Sequence, residues 1–278
     1  MNKINFIGIG VQKGGTSWLH RQLLNHPQVF VPKDRKEIHF FDEYYDRGLS
    51  WYEKWFTGAQ ENHIAIGEIT PNYIYDEKTA PRIKTDYTDM HFIVILRDPV
   101  ARAYSQYQMM FQSGIAQKYK GFDDFMTHHP HAFKRGLYAR QLAHWFEYFP
   151  MKNFLILKSE DIFDTENGIE NTFKKISDFL KINPDLFNIT VAQEKIGGAR
   201  EAPASSFLAK LAQKTRLFLR NHDMDAVAAF LKKIGLTRNV LGSKKTVIAP
   251  LSHEDKTKWA GFYQKDQEAL KKLLADHA

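Results

Sequence analysis

The chain has 278 residues, 43% hydrophobic and 26% charged, with 21 Phe, 12 Tyr and 5 Trp to fill a core. That is the composition of a globular fold and excludes a disordered or collagen-like chain. There is no cysteine, so disulfides and thiolate chemistry are excluded, and the net charge of +7 fits an anionic ligand, an acidic polymer or an anionic membrane surface as readily as a solvated lysine-rich exterior.

Apolar runs alternate with helical patterns along the chain, which predicts an α/β fold with a central parallel sheet flanked by helices. The first strand spans Ile4–Ile9 and feeds a glycine-rich turn, QKGGTS, that opens a helix over Ser17–Asn25. Short strands follow at Val29–Val31 and Ile64–Ile69, then a helical stretch from Lys78 to Tyr87. His91–Leu96 (HFIVIL) is a continuous apolar run suited to a sheet centre, and Pro99 can open a helix reaching about Gln112. Gly136–Tyr148 reads as a helix, Phe154–Leu157 as the last parallel strand, and Gly168–Leu180 as an amphipathic helix. The stretch 206–234 is helical and basic, and Glu254–Leu274 forms a terminal helix.

No linker, low-complexity run or internal repeat divides the chain. The expectation is a single domain over 1–278, with a core at about 4–182 and a helical part at about 205–278. The first strand begins at Ile4, leaving no room for a secretory leader, and no apolar run is long enough to span a bilayer. The expected location is therefore cytoplasmic.

Phe6–Leu19 (FIGIGVQKGGTSWL) carries the strongest chemical signal. A strand entering a glycine-rich turn and a helix builds an anion site, because backbone N–H groups and the helix dipole both face the turn. Gly14 and Gly15 allow close backbone approach, Thr16 and Ser17 can cap the helix and donate hydroxyls, and Lys13 adds a full positive charge. The loop is not a Walker A motif, since Lys13 precedes Gly14-Gly15, and not a dinucleotide fingerprint, since Lys13 stands where the third glycine belongs. It is an anion site of a third kind, set against the structural alternative of an ordinary Gly-Gly turn.

Three further clusters carry polar chemistry. In LRDPVARAYSQY, Arg97 ends the strongest strand and Ser105 lies two helical turns on, a pair able to grip a phosphate. The alternative is an Arg97–Asp98 pair closing the turn. In KEIHFFD, Glu37 and His39 would share one face of an extended segment, which suits proton abstraction from a hydroxyl or amine. The alternative is a surface ion pair of Glu37 with Lys36 or Arg35. In GEITPNYIY, Glu68 and Thr70 could line a cleft or simply end a strand. The clusters Gln12–Ser17, Glu68–Asn72, Arg97–Asp98 and Lys158–Asp161 all follow strand ends, where open parallel sheets bind ligands.

Taken in this order, the clusters resemble the sulfotransferases that use 3′-phosphoadenosine 5′-phosphosulfate (PAPS), nearest the heparan sulfate branch and its bacterial relatives. The likeness spans Phe6 to about Leu180 and includes RGLYARQLAHWFEYFP at 135–150 and the acidic turn KSEDIF. The resemblance implies a P-loop-like sulfotransferase fold and no metal. Lys13 would stabilise charge on the leaving phosphate, with Gly14, Gly15, Thr16, Ser17 and Trp18 at the 5′-phosphosulfate. Arg97 and Ser105 would hold the 3′-phosphate. Glu37 would be the general base with His39 beside it in the acceptor cleft, and the acceptor would be a carbohydrate or other small molecule, not a nucleic acid. Two departures stand out. Some relatives carry a lysine where this chain has Ile69, and the disulfide-closed hairpin of the animal enzymes cannot form here. The segment 194–210, with Arg200, is the expected substitute.

Two other classes compete. A nucleotide kinase or NTPase of related fold lacks support, because HFIVIL ends in Arg97 where a metal-holding acid would stand. A basic binding module for an anionic polymer or membrane would use the helix 206–221, with Lys210, Lys214, Arg216 and Arg220, although such helices more often pack on a core.

Overall fold

The computed structural model describes residues 3–193, 202–203, 214–215, 217–219, 221, 223–224, 227, 243–244 and 248–276. The chain divides into two compact units: residues 1–102, 135–196 and 261–278 form the first, and 103–134 and 197–260 the second.

The first unit is built on a five-stranded sheet. In chain order come β1 (Phe6–Gly10), α1 (Thr16–Leu24), β2 (Val29–Phe30), α2 (Leu49–Glu53), β3 (Ala65–Ile69), α3 (Thr79–Asp86) and β4 (His91–Leu96). Helix α4 (Pro99–Gln112) leaves the sheet, and α5 (Phe122–His128) and α6 (Pro130–Lys134) belong to the second unit. The chain returns through α7 (Tyr138–Phe146), β5 (Phe154–Lys158), α8 (Ser159–Phe163), α9 (Gly168–Leu180) and α10 (Ile189–Gln193). Short strands β6 (Ala202–Pro203) and β7 (Ser243–Lys244) pair antiparallel in the second unit, and α11 (His253–Asp276) is the last element.

The sheet order is β2-β3-β1-β4-β5, and its pairings are all parallel. The five sheet strands and the helices α1, α3, α4, α7, α9 and α11 match the sequence reading with bounds moved by at most two residues. The short helices α2, α5, α6, α8 and α10 and the strands β6 and β7 were not read from the sequence, and most of the stretch 206–234 lies outside the described residues. HFIVIL (β4) lies inside the sheet, but the middle strand is β1, flanked by β3 and β4. The chain crosses to one side of β1 and then the other, which makes the carboxyl end of β1 the topological switch point.

Continuous apolar strands suit this sheet because both faces are covered. Phe92, Val94 and Leu96 pack with Ile7, Ile9 and Trp145 on one face. Ile93 and Ile95 pack with Phe6, Trp18 and Phe173 on the other. The period-two alternation of β4 thus serves two cores. In the second unit, Asp123 on α5 accepts hydrogen bonds from Lys258 Nζ at 2.7 Å and Trp259 Nε1 at 2.9 Å.

Candidate active site

The loop between β1 and α1 is fixed by close backbone contacts. A Cβ at Gly14 would stand 2.3 Å from the carbonyl oxygen of Ile95, so only glycine fits against β4 there. Gly15 is the residue before the helix and has φ 116°, a conformation glycine adopts without strain. The amides of Trp18 and Leu19 donate to its carbonyl at 2.9 and 3.1 Å. The N-cap is therefore Gly15, which offers no side chain, and Thr16 and Ser17 lie inside the first turn of the helix. Lys13 also has positive φ, 72°, uncommon for a non-glycine residue and a mark of over-determined local structure.

The residues brought to this loop come from the ends of neighbouring strands. Arg97, just past β4, donates through Nη1 to the carbonyl oxygen of Lys13 at 3.1 Å. Among the described residues Asp98 is paired elsewhere than with Arg97. Its Oδ1 accepts from the amide of Ala101 at 2.7 Å and so caps α4, while its own amide donates to Glu160 Oε1 at 2.8 Å.

From the other side, the 36–44 segment supplies a charged row. Lys36 Nζ lies 2.9 Å from Ser17 Oγ and 3.1 Å from Glu37 Oε1. His39 Nε2 is 3.5 Å from Glu37 Oε2, and His39 Nδ1 is 2.8 Å from Asp42 Oδ2. His39 itself sits at φ 58°, so the backbone reverses there instead of running extended as expected. Glu37 and His39 still meet, but through this reversal. Asn72 donates to Asp42 Oδ2 at 2.7 Å, and Arg135 donates to Asn72 at 2.6 Å, so the imidazole ends a chain of polar partners. His39, Asp42 and Glu43 offer atoms within 4.8 Å of one another that could hold a cation, but the recorded arrangement is the His39–Asp42 hydrogen bond.

The two carboxylates near strand ends behave oppositely. Burial pushes Glu37 up, but the hydrogen bond with His39 and the charge of Lys36 outweigh it and hold the carboxyl at about 2. Its side chain is 36% exposed, which leaves it open to an approaching molecule. Glu68 is completely buried, and burial raises its carboxyl to about 6 against hydrogen bonds from Thr70, Tyr73 and the Ile38 amide. Those bonds measure 2.6, 2.7 and 3.3 Å. Thr70 Oγ1 also accepts from the His39 amide at 3.4 Å. Glu68 is a buried brace under the Glu37–His39 segment.

A strand–glycine turn–helix cradle with a half-buried carboxylate and a lysine beside it matches a known domain. The sulfotransferase domain family matches residues 4–221. The chain belongs to the sulfotransferase domain family. Over 110 residues it is 44% identical to the membrane-associated sulfotransferase kil1 of Dictyostelium discoideum, covering 39% of this chain and 23% of that protein. Over 186 residues it is 33% identical to heparan sulfate glucosamine 3-O-sulfotransferase 6 of Homo sapiens, covering 62% and 50%. The chain thus spans half or less of the length of these curated relatives. A crystal structure of a sulfotransferase from Alicyclobacillus acidocaldarius shares the fold with a TM-score of 0.60 at 21% identity, over 82% of this chain and 96% of that one.

Within this sulfotransferase domain the sequence-predicted residues fall into three groups. Lys13, Gly14, Gly15, Thr16, Ser17 and Arg97 share the β1 loop and the strand end beside it, and Glu37 and His39 reach it through Lys36. The Trp18 ring is buried, stacks on Phe173 at 5.7 Å and donates to the Ala192 carbonyl, so this side chain anchors α1 to the core. Ser105 is half-buried on the part of α4 that belongs to the second unit. Arg200 and most of the 206–221 helix lie outside the described residues. Ile69, at the position where some relatives carry lysine, is buried in the core. Tyr52 is wholly buried against Phe40, whereas Tyr44, Trp51 and Trp55 surround the Arg35 guanidinium at 5.0–5.2 Å.

Sequence reasoning missed Lys36 and Asp42 as members of the site. Asp42 lies three residues after His39, and it reaches the imidazole only because the chain reverses at His39.

Proposed function

We propose that this protein is a PAPS-dependent sulfotransferase acting on a hydroxyl or amine of a carbohydrate or glycoconjugate. The observation that carries the reading is the half-buried Glu37 carboxylate, linked through one lysine to the first turn of the glycine-loop helix. That arrangement supplies an anion cradle and a proton acceptor joined by a single ammonium. The family membership supports the activity, and the names of the heparan sulfate relatives support a carbohydrate acceptor.

In the proposed reaction the acceptor oxygen or nitrogen attacks sulfur in line with the leaving oxygen. The bond between sulfur and the 5′-phosphate oxygen breaks, Glu37 takes the acceptor's proton, and 3′-phosphoadenosine 5′-phosphate (PAP) leaves. Negative charge grows on the leaving phosphate, where the Gly14–Gly15 loop, the N-terminus of α1 and Lys13 are arranged to meet it. Arg97 is assigned to the 3′-phosphate, whose forked guanidinium suits it. The part of Ser105 there rests on the resemblance alone. His39 orients Glu37 or the acceptor, held in turn by Asp42. No step requires a metal. The cytoplasmic location, and the view of 1–278 as one functional domain, are proposals of the same kind.

The test is transfer of radiolabel from [35S]PAPS to a panel of desulfated polysaccharides and smaller glycosides. Labelled product with any of them supports the reading. A purified, folded protein that neither binds PAP nor labels any acceptor overturns it.

A further inference from the structure

Lys36 is the residue that joins the two halves of the site. Its Nζ touches Ser17 Oγ at 2.9 Å and Glu37 Oε1 at 3.1 Å. Ser17 is exposed in the first turn of α1, where the anion-binding amides are. Glu37 is the carboxylate open to solvent. A group passing from the cradle to an acceptor activated by Glu37 must cross the space that this ammonium spans.

We infer that Lys36 is a sulfuryl-contacting residue: its ammonium, which bridges Ser17 and Glu37, meets the sulfuryl oxygens of the bound donor and gives up Glu37 to do so. The inference rests on the sulfotransferase reading and adds a residue and a sequence of events to it. Three facts make the exchange feasible. An ammonium has three donors on a flexible stem, so Lys36 can keep Ser17 while changing its second partner. Its side chain is 29% exposed. The sulfuryl group of the bound donor carries negative charge spread over three oxygens, which gives an ammonium several acceptors to meet.

The consequence is an ordered site. While Lys36 and His39 both hold Glu37, the carboxylate is ionised but has low proton affinity, with Lys36 as one of the causes. The other charged or titratable groups facing this pair are His20, which burial and Lys36 hold neutral, and His39 with Asp42 and Glu43 behind it. When the donor takes Lys36, Glu37 loses a counter-charge and becomes a stronger base as the acceptor arrives. The base is thereby activated by the donor it serves.

The experiment compares PAPS with PAP, which differ by the sulfuryl group alone. Binding of each is measured by calorimetry, without acceptor, to wild type, Lys36→Met and Lys36→Arg. Lys36→Met keeps the length of the side chain and removes its charge. The expected result is that Lys36→Met weakens PAPS binding by roughly tenfold or more, the scale of a charge-assisted hydrogen bond, with PAP binding nearly unchanged. Lys36→Arg should restore part of the loss. Equal losses for both ligands would mean that Lys36 only steadies the loop through Ser17, and no loss for either would mean that it touches neither; both overturn the inference. A wild type that binds PAP and PAPS keeps the sulfotransferase reading standing in those cases. A folded wild type that binds neither overturns the reading and the inference with it.

Discussion

Arg97 Nη1 donates to the main-chain oxygen of Lys13 at 3.1 Å, so the end of β4 holds the loop that follows β1. The contact uses one donor of a guanidinium that has five, leaving the fork able to take a phosphate. Arg97→Ala should therefore act twice, loosening the loop and removing a charged donor. Calorimetry should show PAP binding weakened by roughly tenfold or more, and Arg97→Lys should recover little, because an ammonium lacks the planar fork. Unchanged affinity in Arg97→Ala would remove Arg97 from the nucleotide site.

Lys13 has a different task. Its half-buried side chain belongs to the loop facing the cradle, and its positive φ is set by the backbone around it. Lys13→Ala should leave the fold intact by circular dichroism and lower turnover by roughly 10²-fold or more, since a positive charge at the developing oxyanion acts mainly in the transition state. Normal turnover in the folded variant would place the leaving-group charge elsewhere.

Gly14 tests the cradle without touching a charge. The nearest atom to an added Cβ is the backbone oxygen of Ile95, at 2.3 Å, which cannot rotate away. Gly14→Ala should cost roughly 1–3 kcal/mol of stability through overpacking and displace the loop from β4. Urea unfolding should give a lower midpoint, and calorimetry a loss of PAP binding at temperatures where the variant is still folded. An alanine variant with wild-type binding would mean that the loop does not approach the nucleotide closely.

The cradle was legible in the sequence because it is local. Gly14, Gly15 and Lys13 are consecutive, and the strand before them and the helix after them have distinct periods. The sheet was legible because HFIVIL and its neighbours are continuous apolar runs. Lys36 was not legible as a bridge, since its contact with Ser17 joins residues brought together by the crossing from α1 through β2. The reversal at His39 was hidden because histidine at positive φ has no local signature. The inward turn of the Trp18 ring was not legible either, because one residue further along the helix changes the face on which a side chain lies. Glu68 misled for another reason. A glutamate near a strand end looks solvent-facing, and only Thr70 and Tyr73, two and five residues on, reveal that its oxygens are met inside.

Glu68 gives a pH prediction whose sign follows from its burial. Its carboxyl keeps its proton up to about pH 6 in the folded chain and releases it near 4.5 when unfolded. Between those values the folded state binds more protons, so this group's contribution to stability falls as pH rises from 4.5 to about 6 and stays lower above. The fall is on the order of 2 kcal/mol. Glu68→Gln cannot ionise and lacks it. Whatever the variant loses in hydrogen bonding, its stability gap to wild type should narrow across this window. Urea midpoints measured for both proteins at several pH values check this, and a gap independent of pH would mean that burial does not raise the Glu68 carboxyl.

The same two carboxylates decide the identity of the base. Glu37→Gln keeps the size of the side chain and its hydrogen bonding but cannot accept a proton. Turnover should fall by roughly 10²–10⁴-fold, the usual scale of general-base catalysis, while PAP binding changes little. His39→Ala should cost less, because His39 orients Glu37 or the acceptor and does not take the proton. Glu68→Gln should lower turnover only as far as it disturbs the Ile38 amide and Thr70 beneath the Glu37–His39 segment. The reason is access: Glu68 is completely buried with both oxygens occupied, whereas the Glu37 side chain is 36% exposed. The comparison is made at saturating PAPS with any acceptor that accepts label. If Glu68→Gln were the dead enzyme and Glu37→Gln nearly wild type, the base would be Glu68 and the cleft would have to open to reach it, although sulfuryl transfer itself could still be the reaction.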